Sequence, residues 1–155
     1  MLNARLDLSG TKDAALLASI PGLGTVTVAK ILGYLGAVVE SEVRRFDSAK
    51  ALSAFLGVTP KRKESGSSLK GRSSFSRAGH GEMRKALYMP ALVALRHNPL
   101  VKTFGERVKS AGLAPKAVVG ACMHKLAMLI YGVLRSGQPF DVDFEKKKLA
   151  IQDGI

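Results

Sequence analysis

The sequence predicts an all-α fold, a compact helical domain, and three observations support this class. Apolar residues recur at intervals of three and four along most of the chain, as they do on the buried face of a helix. Glycine and proline interrupt this pattern where short connections between helices are needed. No segment shows the alternating apolar and polar pattern of hairpin strands, so no sheet is expected.

The first helical pattern follows a linker at residues 1–10, and its apolar positions share one face. Pro21 and Gly22 end this helix, and a second helix with similar apolar spacing is predicted over about residues 25–35. The two helices and their tight connection form a helix-hairpin-helix at about residues 12–36.

The connection between these helices is Ile20-Pro21-Gly22-Leu23-Gly24. Its glycines permit a tight turn, and the backbone N–H groups at the start of the second helix form an anion site. A DNA phosphate would bind there without any base being recognised. The hairpin residues assigned to DNA binding are Gly22, Gly24, Thr25 and Lys30. The alternative is an ordinary connection between two helices.

A third, short helix is predicted to end at Leu56, and either Asp47 or Ser48 could cap its N-terminus. Residues 57–81 follow, and we call them the basic serine loop because Gly, Ser and basic residues dominate them. They have almost no apolar periodicity. We predict a long surface loop, which in a small domain is usually functional or disordered.

Cations far outnumber carboxylates in the basic serine loop and just after it, where only Glu64 and Glu82 oppose them. Such a segment is attracted to phosphates. The residues assigned to DNA binding here are Lys61, Arg62, Lys63, Lys70, Arg72, Arg77, His80, Arg84 and Lys85.

Helical periodicity returns after the loop, and further helices are predicted over about residues 82–136. Pro90 is expected to kink the first of them. The last, from about Lys116 to Arg135, is the most apolar and is predicted to be the central core helix. The helical domain therefore covers residues 11–137, with a tail at residues 138–155.

The composition favours an intracellular nucleic-acid partner. The 155 residues include 24 Lys and Arg against 12 Asp and Glu, a net charge of +12. Only 6% of the residues are aromatic, which argues against an anionic membrane surface. No apolar run is expected to reach the roughly 20 residues that span a bilayer. The single cysteine, Cys122, excludes a disulfide framework within one chain and suits a reducing cytoplasm.

The residues alone predict a DNA-binding module rather than a self-sufficient enzyme. A serine needs a base or a polarised phosphate to become a nucleophile, and the spacing of His80, His97 and His124 supports no Ser/His/Asp set. His124 lies within the apolar last helix, where a structural role is expected. No dense carboxylate set predicts a metal site, so no cofactor is predicted in this chain.

Six short segments in a fixed order resemble the C-terminal domain of insertion-sequence transposases and Piv-type DNA invertases. Members of that family carry an N-terminal RuvC-like domain with DEDD carboxylates. The resemblance runs from about Leu17 to Phe140, and the joint order of the segments is more specific than any one of them. The segments are Ser19–Thr27, Phe46–Lys50, Leu56–Pro60, Glu64–Gly66, Ser76–His80 and Met83–Tyr88.

The resemblance implies a serine nucleophile in a Ser-Gly pair after a basic stretch, which in this chain is Ser65 followed by Gly66. Ser67 and Ser68 are the alternatives. It also implies a transient phosphoseryl bond to DNA and a divalent metal such as Mg²⁺, held by the RuvC-like domain. Because no room for that domain precedes the hairpin, we expect this chain alone to be inactive. The family usually has Asn at the position of His80.

The resemblance further implies the partners and the compartment of the chain. The expected partners are DNA, the RuvC-like domain of the same protein, a second copy in a homo-oligomer and, as in several members, a structured guide RNA. The expected compartment is the bacterial cytoplasm. The main alternative is a non-catalytic helix-hairpin-helix accessory module, and a basic ribosome-associated protein is the weaker one.

Overall fold

The computed structural model describes residues 12–38, 48–59 and 81–143, and every regular element in these ranges is a helix. The all-α prediction is therefore confirmed for this part of the chain. The helices are α1 at residues 12–18, α2 at Thr25–Val38, α3 at Ala49–Phe55, α4 at Gly81–His97, α5 at Pro99–Ser110 and α6 at Pro115–Ser136.

Short polar or proline-containing signals begin three of these helices. The Ser48 hydroxyl caps α3 by accepting a hydrogen bond from the Ala51 backbone N–H at 3.1 Å. Asn98 caps α5, whose first residue is Pro99, and Pro115 opens α6. Of the two caps predicted for α3, Ser48 is the one observed, while Asp47 lies outside the described residues.

Helix α6 lies at the centre of the domain and packs against α3, α4 and α5. Three of its side chains, Cys122, Leu126 and Ile130, have no exposed surface. The prediction of a central core helix is confirmed. Burial raises the pKa of the Cys122 thiol to about 11, so this cysteine is a packing residue and not a reactive one.

The length of α6 corrects the expectation that no apolar run reaches the roughly 20 residues that span a bilayer. With 22 residues, it is long and apolar enough to cross a membrane by length and composition alone. Sequence inspection underestimated it because polar residues such as His124 and Lys125 interrupt the apolar run. Its contacts with α3, α4 and α5 make it the core helix of this fold.

The two ends of the predicted basic serine loop belong to the packed domain, which corrects its boundaries. Val58 is fully buried, and its backbone N–H donates to the Ser53 carbonyl oxygen at 3.0 Å, so the chain turns back onto α3. Gly81 is already the first residue of α4. Residues 60–80 lie outside the described residues.

The start of the predicted tail also packs on the domain. The Phe140 backbone N–H donates to the Ser19 hydroxyl at 2.8 Å, which ties the segment after α6 to the end of α1. Phe140 is partly buried against the hydrophobic core. The rest of the tail, from residue 144 on, and the linker at residues 1–10 lie outside the described residues.

Candidate nucleic-acid interface

The turn between α1 and α2 is held tightly against α4. Gly22 has a φ of +113°, and a Cβ at this position would lie 2.8 Å from Ala94 Cβ and 3.1 Å from the Pro90 carbonyl oxygen. A side chain there would be strained by both the backbone and the contact. Gly22 thus lets the hairpin approach α4, and its predicted phosphate contact stays a prediction.

A buried amide fixes the same turn from the other side. Asn98 is fully buried, and its Nδ2 donates to the Pro21 carbonyl oxygen at 3.1 Å. Sequence reasoning missed this contact. The Asn-Pro pair is a recognisable start of a helix, but no local signal connects Asn98 with Pro21.

The inward side of the hairpin is apolar. Ile20 is fully buried, and Leu23 and Val28 are 6% and 5% exposed. Leu23 therefore packs into the hydrophobic core at the turn. These contacts fix the orientation of the first turn of α2 relative to α4.

The first turn of α2 faces outward. Gly24, Thr25 and Val26 are exposed, and no atom lies within 4 Å of a Cβ built at Gly24. The first N–H groups of a helix lack partners within the helix and carry the positive end of its dipole. The first turn of α2 holds no acidic residue, so this end of the helix suits an anion.

A shallow groove separates the hairpin from α4, and we call it the hairpin groove. Its volume is about 390 Å³. The residues that line it are Gly22, Leu23, Gly24 and Thr27 from the hairpin and Met89, Pro90 and Val93 from α4.

The groove continues as a seam along α2 and α4, which run in opposite directions. Thr27, near the start of α2, meets Met89 and Val93 in the second half of α4. Tyr34, further along α2, interacts electrostatically with Glu82 at the start of α4. The pKa of Tyr34 is raised above 10.0, first by loss of hydration and then by the Glu82 charge.

Exposed cations flank the hairpin groove on both helices. Lys30 lies three residues after Thr27, and Lys85 lies four residues before Met89. Residues at these spacings share one face of a helix, so Lys30 and Lys85 lie on the same helix faces as Thr27 and Met89. Arg96, three residues after Val93, borders its other end. Sequence analysis had selected Lys30 and Lys85 but not Arg96.

The structure thus places five of the predicted DNA-binding residues in or near the hairpin groove: Gly22 and Gly24, which line it, and Thr25, Lys30 and Lys85. It places Arg84 differently, because the Arg84 Nε donates to the Gly57 carbonyl oxygen at 2.8 Å and ties α4 to the end of α3. The other predicted site residues lie outside the described ranges. They are Lys61, Arg62, Lys63, Ser65, Lys70, Arg72, Arg77 and His80.

A second polar cluster is buried between α3 and α6. The Ser53 hydroxyl lies 2.6 Å from Nδ1 of His124, and the Thr59 hydroxyl donates to Ser53 Oγ at 3.3 Å. Burial is the main cause of the lowered pKa of His124, although a hydrogen bond between its ring and the Val58 backbone acts in the opposite direction. Because Ser53 has no exposed surface, this pair holds the fold rather than a substrate.

Within residues 12–38, 48–59 and 81–143, no group of three or more His, Cys, Asp and Glu side chains could hold a metal ion. On the described surface, the open helix end at the hairpin groove is the feature suited to an anion. This arrangement suits binding of a phosphate backbone.

Residues 14–106 match the Transposase IS116/IS110/IS902 family, a range that includes both the hairpin and Ser65. The chain is 37% identical over 129 residues to a pilin gene-inverting protein of Moraxella lacunata, covering 83% of the chain and 38% of that relative. Its counterpart in Moraxella bovis is 36% identical over the same shares of the two chains.

An insertion element IS110 uncharacterized 43.6 kDa protein of Streptomyces coelicolor is 25% identical over 122 residues. That alignment covers 79% of the chain and 29% of the relative. The chain therefore spans well under half the length of the curated relatives that it matches.

Proposed function

Because the chain belongs to the Transposase IS116/IS110/IS902 family, we propose that it is the DNA-binding, nucleophile-bearing part of a DNA transposase or site-specific recombinase. The observation that carries the DNA-binding part is the hairpin groove. It combines the open first turn of α2 with Lys30 and Lys85 on one side of a strongly basic chain.

In this proposal the hairpin anchors the DNA backbone. One phosphate accepts hydrogen bonds from the backbone N–H groups at the start of α2, with the Thr25 hydroxyl beside it. Lys30 and Lys85 neutralise neighbouring phosphates. None of these groups recognises a base, so binding is independent of the DNA sequence and sensitive to salt.

The chemical step is assigned to Ser65. Its Oγ forms a bond to the phosphorus of the scissile phosphate while the bond to the leaving deoxyribose oxygen breaks, and the hydroxyl proton is transferred, through solvent, to that leaving oxygen. The phosphoseryl ester then reacts with a deoxyribose hydroxyl of another strand, which restores the serine and joins the strands. Ser67 and Ser68 remain the alternative nucleophiles.

Among the residues that the structure describes, no group of three or more His, Cys, Asp and Glu side chains could hold a divalent metal. In the proposed complete enzyme, Mg²⁺ would be held by carboxylates of a RuvC-like domain of the same protein and would polarise the scissile phosphate. The remaining proposed partners are a second copy of the chain and a structured guide RNA, in the bacterial cytoplasm.

The test of the nucleophile uses a protein that joins this chain to its RuvC-like domain. Ser65→Ala is expected to abolish strand exchange and the covalent protein–DNA adduct while DNA affinity stays within about twofold. Ser67→Ala and Ser68→Ala are the matched controls and should keep both activities. Strand exchange retained by Ser65→Ala would contradict the assignment and favour a non-catalytic accessory module.

A further inference from the structure

Large apolar side chains are exposed around the hairpin groove. Met89 is 61% exposed and Val93 is 41% exposed, and both line the groove. Val26 on the first turn of α2 and Tyr88 on α4 are also exposed, by 68% and 48%, but they do not line the groove. Among the described residues, only two other large hydrophobic side chains are exposed, Met128 and Val142.

Binding of a phosphate backbone accounts for the cations and the open helix end, but not for these side chains. An apolar side chain gains free energy only when it leaves water against another apolar surface. Phosphates and the groove edges of a paired duplex are mostly polar, and the base faces are stacked against each other. An unpaired base, in contrast, presents both of its faces.

The charges around the groove indicate what covers the exposed apolar surface. Lys30, Lys85 and Arg96 flank it on both helices. Glu82, the carboxylate of α4, is exposed in the first turn of that helix, seven residues before Met89. A polyanion with apolar faces is complementary to this pattern, since surfaces that bind single strands combine a basic groove with apolar side chains, usually aromatic, that cover the base faces. In the hairpin groove, Met89 and Val93 offer aliphatic surface for this contact.

We propose that the hairpin groove binds unpaired nucleotides of DNA, with Met89 and Val93 against the base and Lys30, Lys85 and Arg96 at the flanking phosphates. This inference rests on the proposed DNA-binding function and deepens it. The chain would then prefer DNA that is locally unpaired, the kind of structure formed when strands are opened for exchange.

The experiment measures binding of the 155-residue chain by fluorescence anisotropy to a short duplex and to the same duplex with a central unpaired bulge. The bulged DNA is expected to bind about tenfold more tightly, because the protein covers one face of one unpaired base and this contact adds to the affinity. The double variant Met89→Ala/Val93→Ala should lose most of this preference and keep its duplex affinity within about twofold. The control Met128→Ala/Val142→Ala, at the other exposed apolar positions, should behave as the wild type.

A second readout reports contact with the base itself. A 2-aminopurine in the bulge should change its fluorescence when wild-type protein binds, and this change should be lost in Met89→Ala/Val93→Ala. Because Met89 and Val93 are exposed, the double variant should unfold at nearly the wild-type temperature.

The possible failures are distinguishable. Equal affinity of the wild type for duplex and bulged DNA would overturn this inference alone. The same would follow if Met89→Ala/Val93→Ala lost equal affinity for the duplex and for the bulged DNA. A self-association that Met89→Ala/Val93→Ala removes would identify a second copy as the occupant and overturn it too. No binding to either probe would overturn the proposed function and this inference together.

Discussion

The buried amide of Asn98 joins the hairpin to the start of α5. Its Nδ2 donates to the Pro21 carbonyl oxygen at 3.1 Å, and its Oδ1 accepts from the backbone N–H groups of Leu100 and Val101 at 3.1 and 3.3 Å. One side chain thereby caps a helix and holds the turn that precedes α2. The position of the hairpin groove depends on this contact.

Replacement of Asn98 by alanine is expected to lower the free energy of unfolding by about 2–3 kcal/mol. The variant loses the helix cap and leaves the Pro21 carbonyl oxygen without this donor. Urea denaturation measures the loss. Asn98→Ser is the matched control, because its hydroxyl can still cap α5 but is too short to reach Pro21. It should lose less stability, and equal losses would contradict the role of the cap.

Gly22→Ala is expected to destabilise the domain by about 3 kcal/mol, since a side chain at positive φ costs roughly 1–2 kcal/mol and forced overpacking about 1–3 kcal/mol. The contact concerned is the one with Ala94 Cβ at 2.8 Å. Gly24→Ala, whose Cβ meets nothing within 4 Å, should change stability by less than about 0.5 kcal/mol. Thermal unfolding of the two variants checks this, and similar losses for both would contradict the packing of the turn.

The stability of the domain should depend on the protonation of His124. Its pKa in the folded state lies below the ordinary 6.5, so the unfolded chain binds a proton more readily. The contribution of the neutral imidazole is fully present above pH 6.5 and is lost as the pH falls from there through the lowered pKa.

The measurement is chemical denaturation at several pH values for the wild type and His124→Gln. The wild type should lose stability on acidification below pH 6.5, and this part of the pH dependence should be absent in His124→Gln, which cannot titrate. Identical pH profiles for the two proteins would contradict the link between His124 protonation and stability.

The helices were predictable because each buries one apolar stripe, and the spacing of that stripe is a local property of the sequence. The central position of α6 followed from its nearly continuous apolar face. The cap at Ser48 was also local, although Asp47 was an equally good candidate by residue type.

Contacts between distant segments were not predictable in this way. Asn98 and Pro21 are 77 residues apart, and Ser53 and His124 are 71 residues apart. Val58 lies in a segment whose Gly and Ser content indicates a surface loop, yet the packing of α3 buries it completely. The exposure of Met89 and Val93 could likewise not be predicted from the sequence, because apolar residues at this helical spacing usually form a buried face.

Salt-dependent binding of duplex DNA tests the central claim that the hairpin groove grips the phosphate backbone. Lys30→Ala/Lys85→Ala should weaken binding about tenfold or more and reduce the slope of log affinity against log salt by about 2. Lys109→Ala/Lys116→Ala, which removes two exposed cations of α5 and α6 outside the groove, should leave the slope nearly unchanged. Equal slopes for the wild type and Lys30→Ala/Lys85→Ala would contradict the account.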